Sequence, residues 1–385
     1  MSSLEIIDQT DPVIFATEFH QAIAQGKSVL LVNPTWQQSE REQLKQLCQR
    51  TQPPEIFSQK SHILIPTGGT SGQLKFAIHT PATLSASVRG FQQFFQLEQV
   101  NCFCILPLYH VSGLMQLWRS HVSQGVFRLG NYADLKRGML PDLNVREFCL
   151  SLVPTQLQVL LEICPEWLAQ FRLVLLGGAP PWRSLLDKAR KFQIQLALTY
   201  GMTETASQVV ALKPEDFLAG KNCAGQVLPH GKLSFSAQQL ISIEATSLFQ
   251  GYYPQFSDRK ILETDDVGYL DTAGYLHLFG RQSQKIISGG ENIYPAEIES
   301  VIFATDLVQD VAIVGLLDPY WGETVAAAVS LKKQVALQTL KTAIASQLSP
   351  YKQPKHWLLL EKLPRNDQGK LNRSQLRQMI ENRYQ

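Results

Sequence analysis

The sequence has little that would tie it to a membrane, a nucleic acid or an oxidising compartment. No apolar run approaches the roughly 20 residues that a spanning helix needs, so no membrane span is expected. Lysine and arginine number 35 against 33 acidic residues, for a net charge of +2, and no basic stripe stands out. A nucleic-acid partner is therefore not expected. The six cysteines, at 48, 102, 104, 149, 164 and 223, include no C-x-x-C pair, which excludes the common zinc and dithiol motifs. Cys102 and Cys104 alternate in NCFCIL as they would on one face of a strand. The opening MSSLEIIDQTDP carries early acidic residues and no basic stretch followed by an apolar one, so neither a signal nor a transit peptide is expected. A reducing cytoplasm suits these absences. Internal repeats, low-complexity tracts and a G-x-x-x-x-G-K-[ST] phosphate loop are also lacking.

What is present is the composition of an ordinary globular enzyme, 44% hydrophobic and 18% charged over 385 residues. That length exceeds what one core usually supports, so two domains are expected. HILIPT (62–67), CFCILP (102–107), FCLSLVP (148–154), RLVLLGG (172–178) and QLALTY (195–200) read as buried strands. Amphipathic helical patterns over 81–96, 155–163 and 181–192 separate them. Thr80 followed by Pro81 suits a helix start, with a capping hydroxyl and proline in the first turn. Such alternation predicts an α/β fold, a parallel-rich sheet covered by helices. After residue 205 the closely spaced runs LSFS, LISIEA, VGYLD and YLHLFG predict a small β-subdomain, with Asp266 just ahead of the VGYLD strand. From about 285 a compact α+β unit is expected, with helices near 295–304, 336–348 and 373–383 and strands near 311–317, 325–331 and 356–360. The domain boundary falls near Arg281–Gln284.

Five segments carry candidate chemistry. PTGGTSGQLK (66–75) follows an apolar strand, and Gly68, Gly69 and Gly72 interleave with Thr67, Thr70 and Ser71. Its hydroxyls and exposed N–H groups can wrap phosphate oxygens, with Lys75 adding positive charge; a surface turn is the alternative. In LLGGAPP (175–181), Gly177 and Gly178, with Ala179 and Pro180 after them, let a flat or charged ligand approach the backbone. LTYGMTET (198–205) leaves a strand with Tyr200 able to stack on a ring and Glu204 able to hold magnesium. TDDVGYLD (264–271) offers Asp266 to a pair of ribose hydroxyls, and GRQSQKIISGGENIYPAEIE (280–299) joins Arg281 to a glycine turn and an acidic helix. Taken singly, each has a plain reading as a turn or a solvated helix start.

In this order, the segments resemble the adenylate-forming superfamily of acyl-CoA synthetases, luciferases and peptide-synthetase adenylation domains. The resemblance runs from about residue 62 to 375. It implies a phosphate loop at Thr67–Lys75 and nucleotide contacts from Gly177–Pro180, Thr199, Tyr200, Gly201, Met202, Thr203, Asp266 and Arg281. It also implies a catalytic Lys370 in PRNDQGKLNR, with Glu204 as magnesium ligand and catalytic group. ATP, Mg²⁺ and coenzyme A are the implied cofactor and substrates. A large N-terminal domain over 1–281, a hinge at 282–284 centred on Ser283, and a mobile C-terminal domain over 285–385 are the implied organisation. Rotation about that hinge would withdraw Lys370 and present Ser288–Glu291. Departures from the pattern are Gly68, Leu74 and Phe76 in the phosphate loop, and Ser283 where an Asp or Lys is frequent. The phosphate loop also begins early, so the region before it is missing or compressed relative to the family.

LPLYHVSGLMQLWRS (106–120) resembles the family's acyl-tunnel element. His110 can pack against the acyl group or approach its carboxylate, or be a satisfied core histidine. Arg119 can pair with a second carboxylate or be a solvated helix charge. This run, SLVPTQLQVLLE (151–162) and SGGENIYPAEIE (288–299) are most similar to the o-succinylbenzoate–CoA ligases of menaquinone and phylloquinone synthesis, in their short cyanobacterial type. That branch implies an aromatic dicarboxylate activated at its succinyl carboxylate, with Arg119, Thr205 and Ser207 as anchoring or wall residues. Other aryl- or acyl-CoA ligases, a carrier-protein activating domain and a non-catalytic adenylate-binding paralogue are the competing readings. A monomer and a homodimer are both compatible with the sequence.

Overall fold

The computed structural model describes residues 4–50, 61–68, 73–257, 259–365 and 371–384. Strands β1 (Leu4–Ile7), β2 (Ser28–Leu31) and β3 (Ile63–Gly68) run parallel, and β4 (Leu74–His79) turns back on β3. The parallel half of a second sheet follows: β5 (Asn101–Cys104), β6 (Phe127–Leu129), β7 (Phe148–Leu152), β8 (Leu173–Leu176) and β9 (Leu196–Met202). From there the chain turns antiparallel into β10 (Ser207–Ala211), β11 (Gly225–Val227), β12 (Gly231–Phe235) and β13 (Leu240–Ala245). The short β14 (Gly251–Tyr252) and β15 (Gln255–Phe256) return to the first sheet beside β4, while β16 (Ile261–Leu270) and β17 (Tyr275–Arg281) complete the second. The antiparallel run after residue 205 thus extends the parallel sheet edge-on into an 11-stranded whole.

Two helices fill the space between these sheets. Pro81–Phe95 begins on a capping box in which Thr80 and Thr83 exchange side-chain and backbone bonds, with Pro81 in the first turn. Leu84 and Val88 from it, and Leu114, Met115 and Trp118 from the Val111–Val122 helix, pack on Val29, Leu31, Ile63 and Ile65 of the first sheet. Phe91 faces the other way, onto Cys102, Cys149 and Leu173. The far face of the second sheet is covered by Pro154–Ile163 and Arg183–Lys191, whose Leu157, Leu160, Leu185 and Leu186 meet Leu150, Val174, Leu176 and Leu196. Each such side chain taken from water stabilises the fold by about 1.5–3 kcal/mol.

A 3₁₀ turn at Gln282–Gln284 leads out of β17 into a third sheet of β18 (Ile286–Ser288), β19 (Glu291–Ile293), β20 (Val308–Asp318), β21 (Gly322–Leu331) and β22 (His356–Leu359). Helices Pro295–Ala304 and Leu337–Ala345 pack on one face and Arg373–Tyr384 on the other. One sequence expectation needs correcting. Asp266 does not precede a strand but sits inside β16, whose exposure alternates residue by residue from Ile261. Its run of polar residues reads as a turn, yet Glu263 and Asp265 lie on the exposed face of a ribbon and Thr264 and Asp266 on the half-buried one. Among the described residues no helix is long and apolar enough to cross a membrane.

Candidate active site

Where β3 ends, the Thr67 hydroxyl donates to Glu204 Oε1 at 3.4 Å. Tyr252, brought in by β14, donates to the same oxygen at 2.6 Å, and Lys75 Nζ stands 5.5 Å over the Tyr252 ring. Three distant segments therefore meet on one carboxylate that is 9% exposed. Burial, then the adjacent carboxylate, push the Tyr252 hydroxyl well up, so it remains a donor. Gly68 ends β3, and Gly69, Thr70, Ser71, Gly72 and Lys370 lie outside the described residues.

The expected nucleotide residues gather at the ends of β8 and β9. Gly178 has φ +83°, and a Cβ on Gly177 would come within 2.4 Å of Thr199 Oγ1, so this turn tolerates no side chain. Thr199 itself ties the loop base by donating to the Leu176 carbonyl at 3.1 Å. Tyr200 donates to Asp266 Oδ2 at 2.8 Å, and Arg281, opposite Asp266 across the β16–β17 ladder, places Nε 3.3 Å from Oδ1. Burial first, then Asp266, hold the Tyr200 phenol protonated. Met202, Glu204, Tyr252, Thr264, Asp266 and Arg281 line one cleft. At its edge the Ser283 N–H and hydroxyl both donate to Asp265.

The acyl side is built on strained backbone. Ala206 and Ser207 occupy the left-handed region consecutively, at φ +51° and +86°, a conformation that persists only where its surroundings over-determine it. Ser87 donates to the Ala206 carbonyl at 2.7 Å, Thr205 Oγ1 to Ser207 O at 2.6 Å, and Ser247 to Thr205 O at 2.9 Å. Thr205 is fully buried and its hydroxyl is spent inside this turn, also accepting from Met202 N–H at 2.9 Å. Arg119 is 2% exposed, which removes its reading as a solvated helix charge. Its Nη2 donates to Gln208 Oε1 at 2.7 Å and Ser207 Oγ at 3.1 Å, and the guanidinium lies 4.6 Å over Phe91. Among the described residues no carboxylate pairs with it, and Arg119 Nε and Gln208 Nε2 have no hydrogen-bond partner. Burial lowers its pKa, yet a guanidinium keeps its charge in a protein. His110 stands half-buried just before the Val111–Val122 helix, its ring 4.5 Å from that of Tyr109.

Sequence reasoning missed two residues that brace this site. Tyr252 is one. The other is His79, fully buried, whose Nε2 donates to the Thr203 carbonyl at 2.8 Å while Nδ1 meets Thr83 Oγ1 at 3.1 Å. Burial pushes it down to about 4, so the ring is neutral. Neither residue has a local pattern that marks it; each is recognisable only once β4, β14 and the Thr203–Thr205 turn are neighbours.

A single buried carboxylate beside the Thr67 hydroxyl suits Mg²⁺, which commonly uses one or two carboxylates, substrate phosphates and water. Glu204 Oε1 accepts from both Thr67 and Tyr252, leaving Oε2 without a hydrogen bond among the described residues. Such a cleft can hold a nucleotide by ring, ribose and phosphate at once.

Comparison with known proteins supports the same class. The AMP-binding enzyme family matches residues 5–234, and the AMP-binding enzyme C-terminal domain matches residues 297–370. The 2-succinylbenzoate–CoA ligase of Enterococcus faecalis is 34% identical over 339 residues, spanning 83% of this chain and 69% of the relative. The o-succinylbenzoate CoA synthetase of Bacillus subtilis with its acyl-adenylate intermediate superposes with a TM-score of 0.85 at 27% identity, covering 97% of this chain and 88% of that one. The same enzyme with ATP and a magnesium ion gives 0.82 at the same identity and coverage. A double mutant of it bound to a product analogue gives 0.63, at 27% identity and 98% and 88% coverage.

Proposed function

The chain belongs to the AMP-binding enzyme family, and on that premise we propose that it is an AMP-forming acid–thiol ligase. It converts 2-succinylbenzoate, ATP and coenzyme A to 2-succinylbenzoyl-CoA, AMP and pyrophosphate, a step of menaquinone or phylloquinone synthesis. The observation that carries the choice of acid is Arg119, a buried cation with no acidic partner among the described residues. An uncompensated buried charge is costly, and an anionic ligand reaching Ser207 would compensate it. A monocarboxylate spends its only charge at the reacting end. A dicarboxylate has a second one to offer, and Gln208 Nε2 and Arg119 Nε have hydrogen bonds to give.

In the first half-reaction a carboxylate oxygen of the acid attacks the α-phosphorus and pyrophosphate leaves. Lys75 and the 66–75 loop would hold the departing phosphates. Mg²⁺ held by Glu204 would neutralise phosphate charge. Tyr252 and Thr67 keep that carboxylate aimed. Asp266 and Arg281 would take the ribose, while Tyr200 and Gly177–Pro180 would clasp adenine. Lys370, by resemblance, would bridge the carboxylate and the α-phosphate. In the second half-reaction the CoA thiolate attacks the acyl carbonyl and AMP leaves. The C-terminal unit, turning about Ser283, would bring Ser288–Glu291 to the thiol's path. Beside that turn Tyr320 is 82% exposed and Lys355 Nζ lies 4.7 Å over the Trp321 ring, a cation and aromatic pair suited to a nucleotide. The six free cysteines suit a reducing cytoplasm.

The test is acid-dependent CoA consumption with ATP and Mg²⁺, comparing 2-succinylbenzoate with benzoate, cinnamate and medium-chain fatty acids. A strong preference for 2-succinylbenzoate supports the proposal. Preference for another acid keeps the ligase and discards the substrate, and no turnover or pyrophosphate exchange with any acid favours a binding protein.

A further inference from the structure

Trp182 and Phe303 are 121 residues apart and stack face to face, with ring centroids 4.2 Å apart and planes within 13°. Trp182 closes the GGAPP loop that follows β8, and Phe303 lies near the end of the Pro295–Ala304 helix of the third-sheet unit. Trp182 is 6% exposed, and Phe303 packs at once against the core behind β7–β9 and the core of the C-terminal unit. We propose that this stack is a latch that holds the C-terminal unit in the acid-activating arrangement and so sets the balance between the two half-reactions. The latch rests on the ligase reading given above.

Three observations converge on it. Apart from the packing of the Arg183–Lys191 helix on the Pro295–Ala304 helix beside the stack itself, the contacts described between the units cluster at the chain crossing: Asp265 receives Ser283, and Tyr294 stacks on Phe279 at 6.0 Å and abuts Gly280. A body held only at its hinge is free to turn, and a contact away from the hinge removes that freedom. Trp182 also occupies the N-cap of the Arg183–Lys191 helix in extended conformation, without a side-chain cap bond. Ser, Thr, Asp or Asn there would satisfy a helix N–H; the indole forgoes that bond and lies on Phe303. Finally, the arrangement seen here is nearer the acyl-adenylate complex of the Bacillus subtilis enzyme than the product-analogue complex of its double mutant. Trp182 is two residues from Pro180 of the proposed adenine loop, so the nucleotide and the latch share one short segment. Trp182 and Phe303 are positioning residues, acting through the placement of Lys370.

The test separates the half-reactions in the full-length protein. Trp182→Ala and Phe303→Ala should each lower acid-dependent ATP–pyrophosphate exchange about tenfold, while transfer to CoA from added acyl-adenylate stays equal or rises. The double variant should lose no more than either single one, and Trp182→Phe, which keeps an aromatic face, should restore exchange and guard against a folding defect. Small-angle X-ray scattering without substrates should show a broader distribution of unit orientations in the alanine variants. Equal loss in both half-reactions, or unchanged exchange with unchanged scattering, overturns the latch. A wild-type protein with no exchange for any acid would sink the ligase reading instead, and the substrate-free scattering would still decide whether the stack fixes orientation.

Discussion

His79 makes the protein acid-labile by an amount that follows from its burial. Its folded pKa is pushed from 6.5 down to about 4, with burial the larger cause and the bond to Thr203 opposing it. A base whose folded pKa is depressed is protonated first in the unfolded chain, so stability is intact above the unfolded value and is lost as pH falls from about 6.5 toward about 4. Between pH 7 and pH 5 the linkage amounts to about 2 kcal/mol, nearly all of it from the last one and a half pH units at ~1.4 kcal/mol each. His230, also pushed to about 4 by burial and packed on Gly90, titrates in the same direction. Urea unfolding followed by tryptophan fluorescence at pH 7 and pH 5 measures the loss. His79→Leu should start less stable at pH 7, because the Thr203 carbonyl loses its donor, yet should lose about 2 kcal/mol less than wild type on going to pH 5. A variant whose pH-dependent loss equals that of wild type would refute the assignment of a neutral buried ring.

Three further outcomes test the site. Lys370→Ala should slow acid activation by roughly 10²–10⁴-fold while leaving transfer from preformed acyl-adenylate within a few-fold; equal loss in both steps contradicts the lysine's role. Arg119→Met should reduce kcat/KM for 2-succinylbenzoate by about 10- to 100-fold, the cost of about 1.5–3 kcal/mol of charge-assisted bonding, and should change benzoate turnover far less. Parallel losses on both acids would remove Arg119 from recognition. Tyr252→Phe deletes only the hydroxyl on Glu204, and calorimetric titration should then need several-fold more Mg²⁺ for half-maximal ATP binding; an unchanged requirement would leave Tyr252 a packing residue.

The parallel strands and the Thr80 cap were readable because apolar runs bounded by turn residues, and a hydroxyl before a proline, are local signals. Glu204, Asp266 and Arg281 were readable as candidates through their motifs, and the fold brings them to one cleft. The context of Arg119 was not readable, since helical position leaves open whether a charge faces water or a buried turn. Ser207 shows the same limit: nothing in TETASQ announces two successive left-handed residues, which are held by Ser87, Thr205 and Ser247 from distant segments. Tyr252 reaches Glu204 from 48 residues away, and Trp182 meets Phe303 across the two units. Such pairings are set by packing and carry no spacing that a single sequence displays.

In the proposed reaction one carboxylate of an aromatic dicarboxylate attacks ATP at the α-phosphorus. The most direct measurement supplies 2-succinylbenzoate labelled with ¹⁸O in its succinyl carboxylate, with ATP, Mg²⁺ and coenzyme A, and weighs the AMP released. One ¹⁸O atom recovered in AMP, and none when the aryl carboxylate carries the label, is the predicted result. AMP free of label from the succinyl carboxylate, or label passing into phosphate alongside ADP, would contradict it.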